Sequence, residues 1–178
     1  KKNLKLPNFF ASLRRIIMNK TAIIIPSRLD AQRLPNKPLK LINNKEMILH
    51  VYEAAKKSNA GEVYVATPDK AIFELVSNYG GKAVLSSETH NTGTDRIFEV
   101  FKNTLKSLPN IIVNLQGDMP NIEPKIIKNL INYMQQGKCE VGTLASEIKN
   151  NFELEDENIV KVLVLSLIHI SEPTRLSA

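Results

Sequence analysis

Thr21-Ala-Ile-Ile-Ile-Pro26 decides the fold class of this chain, because it is an uninterrupted apolar run of strand length closed by a proline. A strand with water on one face alternates apolar and polar side chains, so a run without alternation points to a strand covered on both faces. The flanking sequence supplies the covers. Residues 46–58 bring Ile48, Val51, Tyr52 and Ala55 to one face at helical spacing. Glu62-Val-Tyr-Val-Ala-Thr67 reads as a second strand, and Pro68-Asp69 opens a helix that runs to Tyr79 and stops at Gly80-Gly81. Residues 82–86 form a short third strand, and the polar stretch 86–93 leads into a helix from Thr94 to about Ser107. Asn110-Ile-Ile-Val-Asn-Leu-Gln116 is the best strand pattern in the chain, residues 123–136 are helical with Ile126, Ile127, Leu130, Ile131 and Met134 inward, and residues 141–148 read as strand. This alternation predicts right-handed crossovers and an α/β fold, a mostly parallel sheet with helices on both faces.

Composition narrows the partners. With 178 residues, 43% hydrophobic and 24% charged, the chain fits one domain, or a domain cut short, and not a disordered, collagenous or disulfide-built class. The single Cys139 forms no internal bridge, and the apolar run 162–170, broken by Ser166 and His169, falls short of the roughly 20 residues of a membrane span. A soluble protein of a reducing compartment, the cytoplasm, is expected. The formal charge is +6, yet Lys1, Lys2, Lys5, Arg14 and Arg15 stand in residues 1–17 without an acid, leaving 19 bases against 18 acids in the rest. Small polyanions must then be met by a few placed cations and not by a general positive field. Met18 is read as the start of the domain and residues 1–17 as a basic extension, either translated upstream sequence, a solvated tail or an amphipathic arm.

In a sheet of this kind ligands bind beyond the carboxyl ends of the strands, where strand order reverses. Two loops lie there. The first reads Pro26-Ser-Arg-Leu-Asp-Ala-Gln-Arg-Leu-Pro-Asn-Lys-Pro-Leu39. Arg28, Arg33 and Lys37 suit a polyphosphate, since guanidinium forks grip phosphate oxygens bidentately and a lysine acts as a mobile point charge. Pro26, Pro35 and Pro38 limit the loop's freedom and lower the ordering cost of binding. Neither a G-x-G-x-x-G after the first strand nor a G-x-x-x-x-G-K-[ST] is present, which argues against dinucleotide oxidoreductases and P-loop NTPases.

The second loop, Asn114-Leu-Gln-Gly-Asp-Met-Pro120, places Asp118 just past a buried strand, where a carboxylate is costly unless it binds a cation or accepts hydrogen bonds. Magnesium takes one or two carboxylates together with phosphate oxygens and waters, so a lone aspartate is enough. Asp118 capping a turn is the plainer alternative, and Gln116 either reads a base or sugar edge or satisfies the strand end. In Thr89-His-Asn-Thr-Gly-Thr-Asp-Arg96, Thr92 or Thr94 can cap a helix whose start offers N–H groups to anions, with Arg96 in its first turn. His90 has no His or Cys at metal-ligand spacing, so a zinc site is not expected. No G-x-S-x-G elbow occurs, Cys139 has no marked base, and aromatics at 6% without tryptophan do not form a nucleic-acid-reading surface.

Ile24-Ile-Pro-Ser-Arg28, Arg33-Leu-Pro-Asn-Lys-Pro-Leu39, His90-Asn-Thr-Gly-Thr-Asp-Arg96 and Val113-Asn-Leu-Gln-Gly-Asp118, in this order and spacing, resemble the 3-deoxy-manno-octulosonate (KDO) cytidylyltransferases, or CMP-KDO synthetases. The resemblance covers about residues 20–164 and rests on the combination of segments. It implies a nucleotide-diphospho-sugar transferase-like fold and the reaction of CTP with KDO to give CMP-KDO and pyrophosphate for lipopolysaccharide biosynthesis. It implies nucleotide contacts from Ser27, Arg28, Arg33, Lys37, Arg96 and Gln116, catalytic roles for Arg28, Lys37 and Asp118, and Mg²⁺ on Asp118. It also implies a homodimer for the complete enzyme, with neither nucleic acid nor membrane as partner.

Two departures stand out. Met119 occupies a position that is usually acidic in the family. Asn158-Ile-Val-Lys-Val162 reads as a matching strand, whereas residues 165–178 do not match and read as foreign sequence from a frame break or cloning junction. The expected layout is a basic extension over 1–17, a cytidylyltransferase-like domain incomplete at its C-terminus over 18–164, and a non-native tail over 165–178. On that reading a second metal carboxylate, much of the sugar pocket and the dimer region are absent, which leaves two expectations open for this chain, an active enzyme or an inactive fragment. The alternatives are transfer to another acidic sugar such as an acylneuraminate, or a non-catalytic nucleotide- or anion-binding module.

Overall fold

A computed structural model describes residues 20–30, 34–87, 90, 92–105, 108–137 and 139–162. The basic extension, Arg33 and the segment 165–178 lie outside the described residues. The chain divides into two compact units, Lys1–Gly142 and Thr143–Ala178.

In the first unit, β1 (Thr21–Pro26), β4 (Glu62–Thr67), β5 (Lys82–Leu85) and β6 (Ile111–Asn114) form one parallel sheet in the order β5-β4-β1-β6. The helices are α1 (Met47–Ser58), α2 (Lys70–Asn78), α3 (Gly93–Thr104) and α4 (Pro124–Met134). As expected for a doubly covered strand, Ile23, Ile24 and Ile25 are fully buried, and they alternate between two cores. Ile23 and Ile25 pack with Ile48, Val51 and Tyr52 of α1, Ile72 and Val76 of α2, and Ile127 and Ile131 of α4. Ala22 and Ile24 pack with Ile97 and Val100 of α3 on the opposite face. Three helices therefore cover one face and one covers the other.

A short antiparallel hairpin, β2 (Leu41–Ile42) and β3 (Lys45–Glu46), interrupts the path from β1 to α1. Sequence reading did not anticipate it. Its signal is Asn43-Asn44, both at positive φ (49° and 61°), the conformation a two-residue hairpin turn requires and asparagine tolerates. The hairpin is tied down by Glu53 of α1, which receives Lys45 Nζ at 2.6 Å, the Tyr79 hydroxyl, and Lys57 at 3.5 Å. The Lys45 hydrogen bond, helped by Tyr79, brings the Glu53 carboxyl down to about 2. A carboxyl depressed in the folded state stabilises it above the unfolded value near 4.3, and that stabilisation disappears as pH falls through the folded value. Glu53→Gln is accordingly expected to flatten the loss of stability between about pH 4.3 and pH 2, read from urea denaturation across that range. An unchanged acid limb would remove this triad from the account.

Three expectations need correction. Ile126 is 40% exposed and does not face the core, because only Ile127 and Ile131 of α4 reach the sheet. Residues 141–148 form no strand: Val141 is 86% exposed, and without a neighbouring strand or apolar cover a β-prone sequence has nothing to pair with. Residues 158–162 likewise form a turn and irregular backbone, with Val160 90% exposed. In the second unit the described regular structure is the single short helix α5 (Asn151–Glu155), capped by Asn150, whose side chain accepts from the Glu153 N–H at 2.9 Å.

Candidate active site

The crossover from β5 back across β1 to β6 sets the position of the site. β4 and β5 extend the sheet on one side of β1 and β6 lies on the other, so strand order reverses at β1 and the loops leaving β1 and β6 stand side by side at the carboxyl end of the sheet. Between them is a cleft of about 340 Å³ whose lining includes Ser27, Arg28, Lys37, Arg96, Gln116 and Asp118. Every described residue among the predicted nucleotide-contacting and catalytic positions borders this one space.

The loop after β1 is held at several points. Ser27 N–H continues the ladder to the Ala66 carbonyl at 2.9 Å, and Leu29 N–H donates to Asp69 Oδ2 at 2.8 Å. Asp69, expected only at the opening of α2, thus spends its carboxylate on the neighbouring loop. Asn36, at φ 56°, reverses the chain into the 3-10 turn Lys37–Leu39, where Pro38 is buried. Lys37 then reaches across the cleft to Asp118 Oδ2, at 2.8 Å. Two residues 81 apart in sequence meet there.

Asp118 is more open than its place after a buried strand suggested. Its side chain is 54% exposed, since β6 ends at Asn114 and the chain has already left the sheet; Leu115 is the last buried residue before it. No desolvation cost has to be offset, and the carboxylate is accessible to a cation. Gln116 Nε2 lies 3.3 Å from Asn114 Oδ1. Gly117 is the part of this loop that sequence reading passed over. A Cβ there would stand 3.0 Å from the Pro26 carbonyl oxygen and 3.4 Å from Ile48 Cδ1, so a side chain at this position would crowd the end of β1 and require a shift of a few tenths of an ångström. Gly117→Ala is expected to cost about 1–3 kcal/mol as overpacking against backbone, with weaker nucleotide binding because Asp118 is displaced. Chemical denaturation and a CTP titration check both parts.

The third segment forms the remaining wall. Thr92 caps α3: its hydroxyl oxygen accepts from Asp95 N–H at 3.2 Å, and the same hydroxyl donates to Asp95 Oδ2 at 2.6 Å. The cap satisfies the Asp95 N–H and leaves an acid in the first turn of the helix, whose start, Thr92 and Gly93, borders the cleft. Arg96 is 3% exposed and donates from Nη1 to Ser86 Oγ at 2.5 Å and the Ser87 carbonyl at 3.2 Å. Burial, and then the nearby Arg28, push the Arg96 guanidinium below its usual value, while Asp69 and Glu99 oppose them. The Ser27 hydroxyl is buried at the cleft wall without a hydrogen-bond partner among the described residues. Arg28, Lys37 and Arg96 together make a locally cationic pocket with one carboxylate.

Residues 22–166 match the family model for cytidylyltransferases. The chain belongs to the cytidylyltransferase family. It is 42% identical over 149 residues to the 3-deoxy-manno-octulosonate cytidylyltransferase of Thermodesulfovibrio yellowstonii, a match covering 80% of this chain and 58% of that protein. It is 41% identical over 149 residues to the 8-amino-3,8-dideoxy-manno-octulosonate cytidylyltransferase of Shewanella pealeana, covering 82% and 60%. A solved structure of CMP:2-keto-3-deoxy-manno-octonic acid synthetase complexed with CTP superposes with a TM-score of 0.63 at 41% identity, over 66% of this chain and 48% of the other. This cytidylyltransferase chain spans a little over half the length of the curated relatives it matches. Among the described residues no group of three or more His, Cys, Asp or Glu side chains could hold a metal by themselves. A divalent ion in this cleft would need ligands beyond the side chains of the described residues. Asp118 supplies a single accessible carboxylate, and a triphosphate and water would supply the rest, the coordination magnesium favours.

Proposed function

We propose that the cleft binds CTP with Mg²⁺ and that the protein transfers CMP from CTP to 3-deoxy-D-manno-octulosonate, releasing pyrophosphate, in the cytoplasm and for lipopolysaccharide biosynthesis. One observation carries the reading: Arg28, Lys37, Arg96, Gln116 and Asp118 border one space at the carboxyl ends of β1 and β6. The anomeric hydroxyl oxygen of the sugar forms a bond to the α-phosphorus of CTP, the α–β bridging P–O bond breaks with its electron pair going to the pyrophosphate, and the hydroxyl proton passes to solvent water. Arg28 and Lys37 hold the phosphates, with Arg33 assigned the same task by its motif. Their cationic groups are placed before the reaction starts and offset charge as it develops on the leaving pyrophosphate. Asp118 is the residue that would hold Mg²⁺, which when bound neutralises phosphate charge. Ser27, Arg96 and Gln116 are assigned to the nucleotide. In the complete enzyme the working unit is proposed to be a homodimer.

The Shewanella relative gives specific support to a second acceptor, the 8-amino sugar. The test is pyrophosphate release from CTP and Mg²⁺ with each sugar in turn, alongside a direct CTP titration. Saturable CTP binding with sugar-dependent release supports transfer, and the faster acceptor identifies the substrate. Binding without release under any acceptor reduces the proposal to a nucleotide-binding half. Absence of CTP binding contradicts it.

A further inference from the structure

Glu99 does not line the cleft, yet it holds a wall of it. Its carboxylate Oε2 accepts the Ser87 N–H at 2.9 Å and also meets Nε2 of His90. Arg96, one turn earlier on α3, donates to Ser86 Oγ and to the Ser87 carbonyl. Ser87 is thereby gripped at both its N–H and its C=O by two side chains of one helix, three positions apart and so on neighbouring faces. His90 and Arg96 both border the cleft, beside Arg28 and Gln116. Because an ionised carboxylate only accepts, His90 must carry its proton on Nε2, which fixes both tautomer and ring orientation. Glu99 also lies close enough to Arg96 to offset the charge of that buried guanidinium, and the His90 contact holds the Glu99 carboxyl below its usual value.

We propose that Glu99 is a positioning residue for nucleotide binding: by tying Ser87 and His90 to α3 it keeps the His90 and Arg96 wall in the arrangement that receives CTP. The proposal rests on the cytidylyltransferase reading for the identity of the nucleotide. Glu99 touches no reacting group, so its effect falls on affinity for CTP and not on the rate of transfer at saturation.

The experiment is a calorimetric titration of the chain with CTP and Mg²⁺, for the unaltered sequence, Glu99→Ala and Glu99→Gln, with ¹⁵N imidazole NMR of His90 on the same samples. Glu99→Ala is expected to raise the Kd about tenfold, the scale of one lost supporting charged hydrogen-bond acceptor, and to release His90 from the Nε2–H tautomer. Glu99→Gln keeps an acceptor oxygen but not the charge; it is expected to keep the tautomer and to weaken CTP about threefold, a partial rescue. Should the alanine variant not fold, the glutamine variant decides, an unaltered Kd overturning the role. Equal Kd values for all three chains overturn the positioning role alone. Failure of the unaltered chain to bind CTP overturns the cytidylyltransferase reading and this inference with it.

Discussion

Asp118→Asn is expected to lower pyrophosphate release from CTP and sugar by on the order of 10²–10³-fold, the effect of losing one preorganised electrostatic partner of a phosphoryl group. Its side chain is 54% exposed and its ion pair with Lys37 is open to solvent, so the pair contributes no more than about 1 kcal/mol to folding. The variant should then melt within a degree or two of the unaltered chain, on the order of what a sub-kcal/mol change does in a domain of this size. Asparagine keeps the shape and an acceptor oxygen but cannot offer a full negative charge to a cation. The defect should therefore grow worse as Mg²⁺ is lowered. An unchanged rate would mean that the carboxylate is a turn residue after all, the plainer of the two roles its sequence position allows.

Ile23→Ala is expected to give the largest loss of stability, about 2–5 kcal/mol by the behaviour of buried large-to-small replacements. Ile23 is fully buried on the central strand, with β4 on one side and β6 on the other, and it packs into the core shared by α1, α2 and α4. Such a loss is a large share of the roughly 5–15 kcal/mol by which a domain is stable. Ile112→Ala on β6, where the side chain is 39% exposed, should cost distinctly less. Urea denaturation with matched m-values separates the two. A loss at Ile23 no greater than that at Ile112 would contradict the two-sided burial of β1. Because β1 ends at Pro26 and delivers Ser27 and Arg28 to the cleft, CTP binding should weaken in Ile23→Ala as unfolding is approached, and not before.

Both predictions trace back to features legible in the sequence, to different degrees. The unbroken apolar run of β1 gave the sheet its doubly covered centre, because burial on two faces leaves a pattern in one short segment. The β-branched and apolar runs at Glu62–Thr67 and Ile111–Asn114 marked its neighbours, of which β6 is only partly covered. Residues 141–148 and 158–162 carry similar β-prone patterns but make no strand, since pairing is a property of neighbours and not of the segment. In the site, Arg28, Lys37, Gln116 and Asp118 could be chosen because strand ends collect ligands and their chemistry is conspicuous, and Arg96 because it stands in the first turn of a helix within a segment that resembles the family. Glu99 could not: it sits mid-helix, and only the placement of Ser87 and His90 beside α3 gives its carboxylate two donors. Asp69 escaped for the same reason, its partner Leu29 N–H lying 40 residues away. Gly117 was visible only as a small residue until the distance to the Pro26 carbonyl showed that a larger one would crowd the end of β1.

The central claim is that the loops after β1 and β6 and the segment before α3 form one receptor for a metal-loaded triphosphate nucleotide. Backbone amide NMR during titration with CTP and Mg²⁺ tests it most directly. The predicted shifts gather at residues 27–30 and 34–40, at 86–87, 90 and 92–96, and at 115–119, and they saturate together with one Kd. Shifts gathered at the opposite, amino ends of the strands, around Thr21, Asn59–Glu62 and Tyr64, or no shift at millimolar CTP, would contradict it.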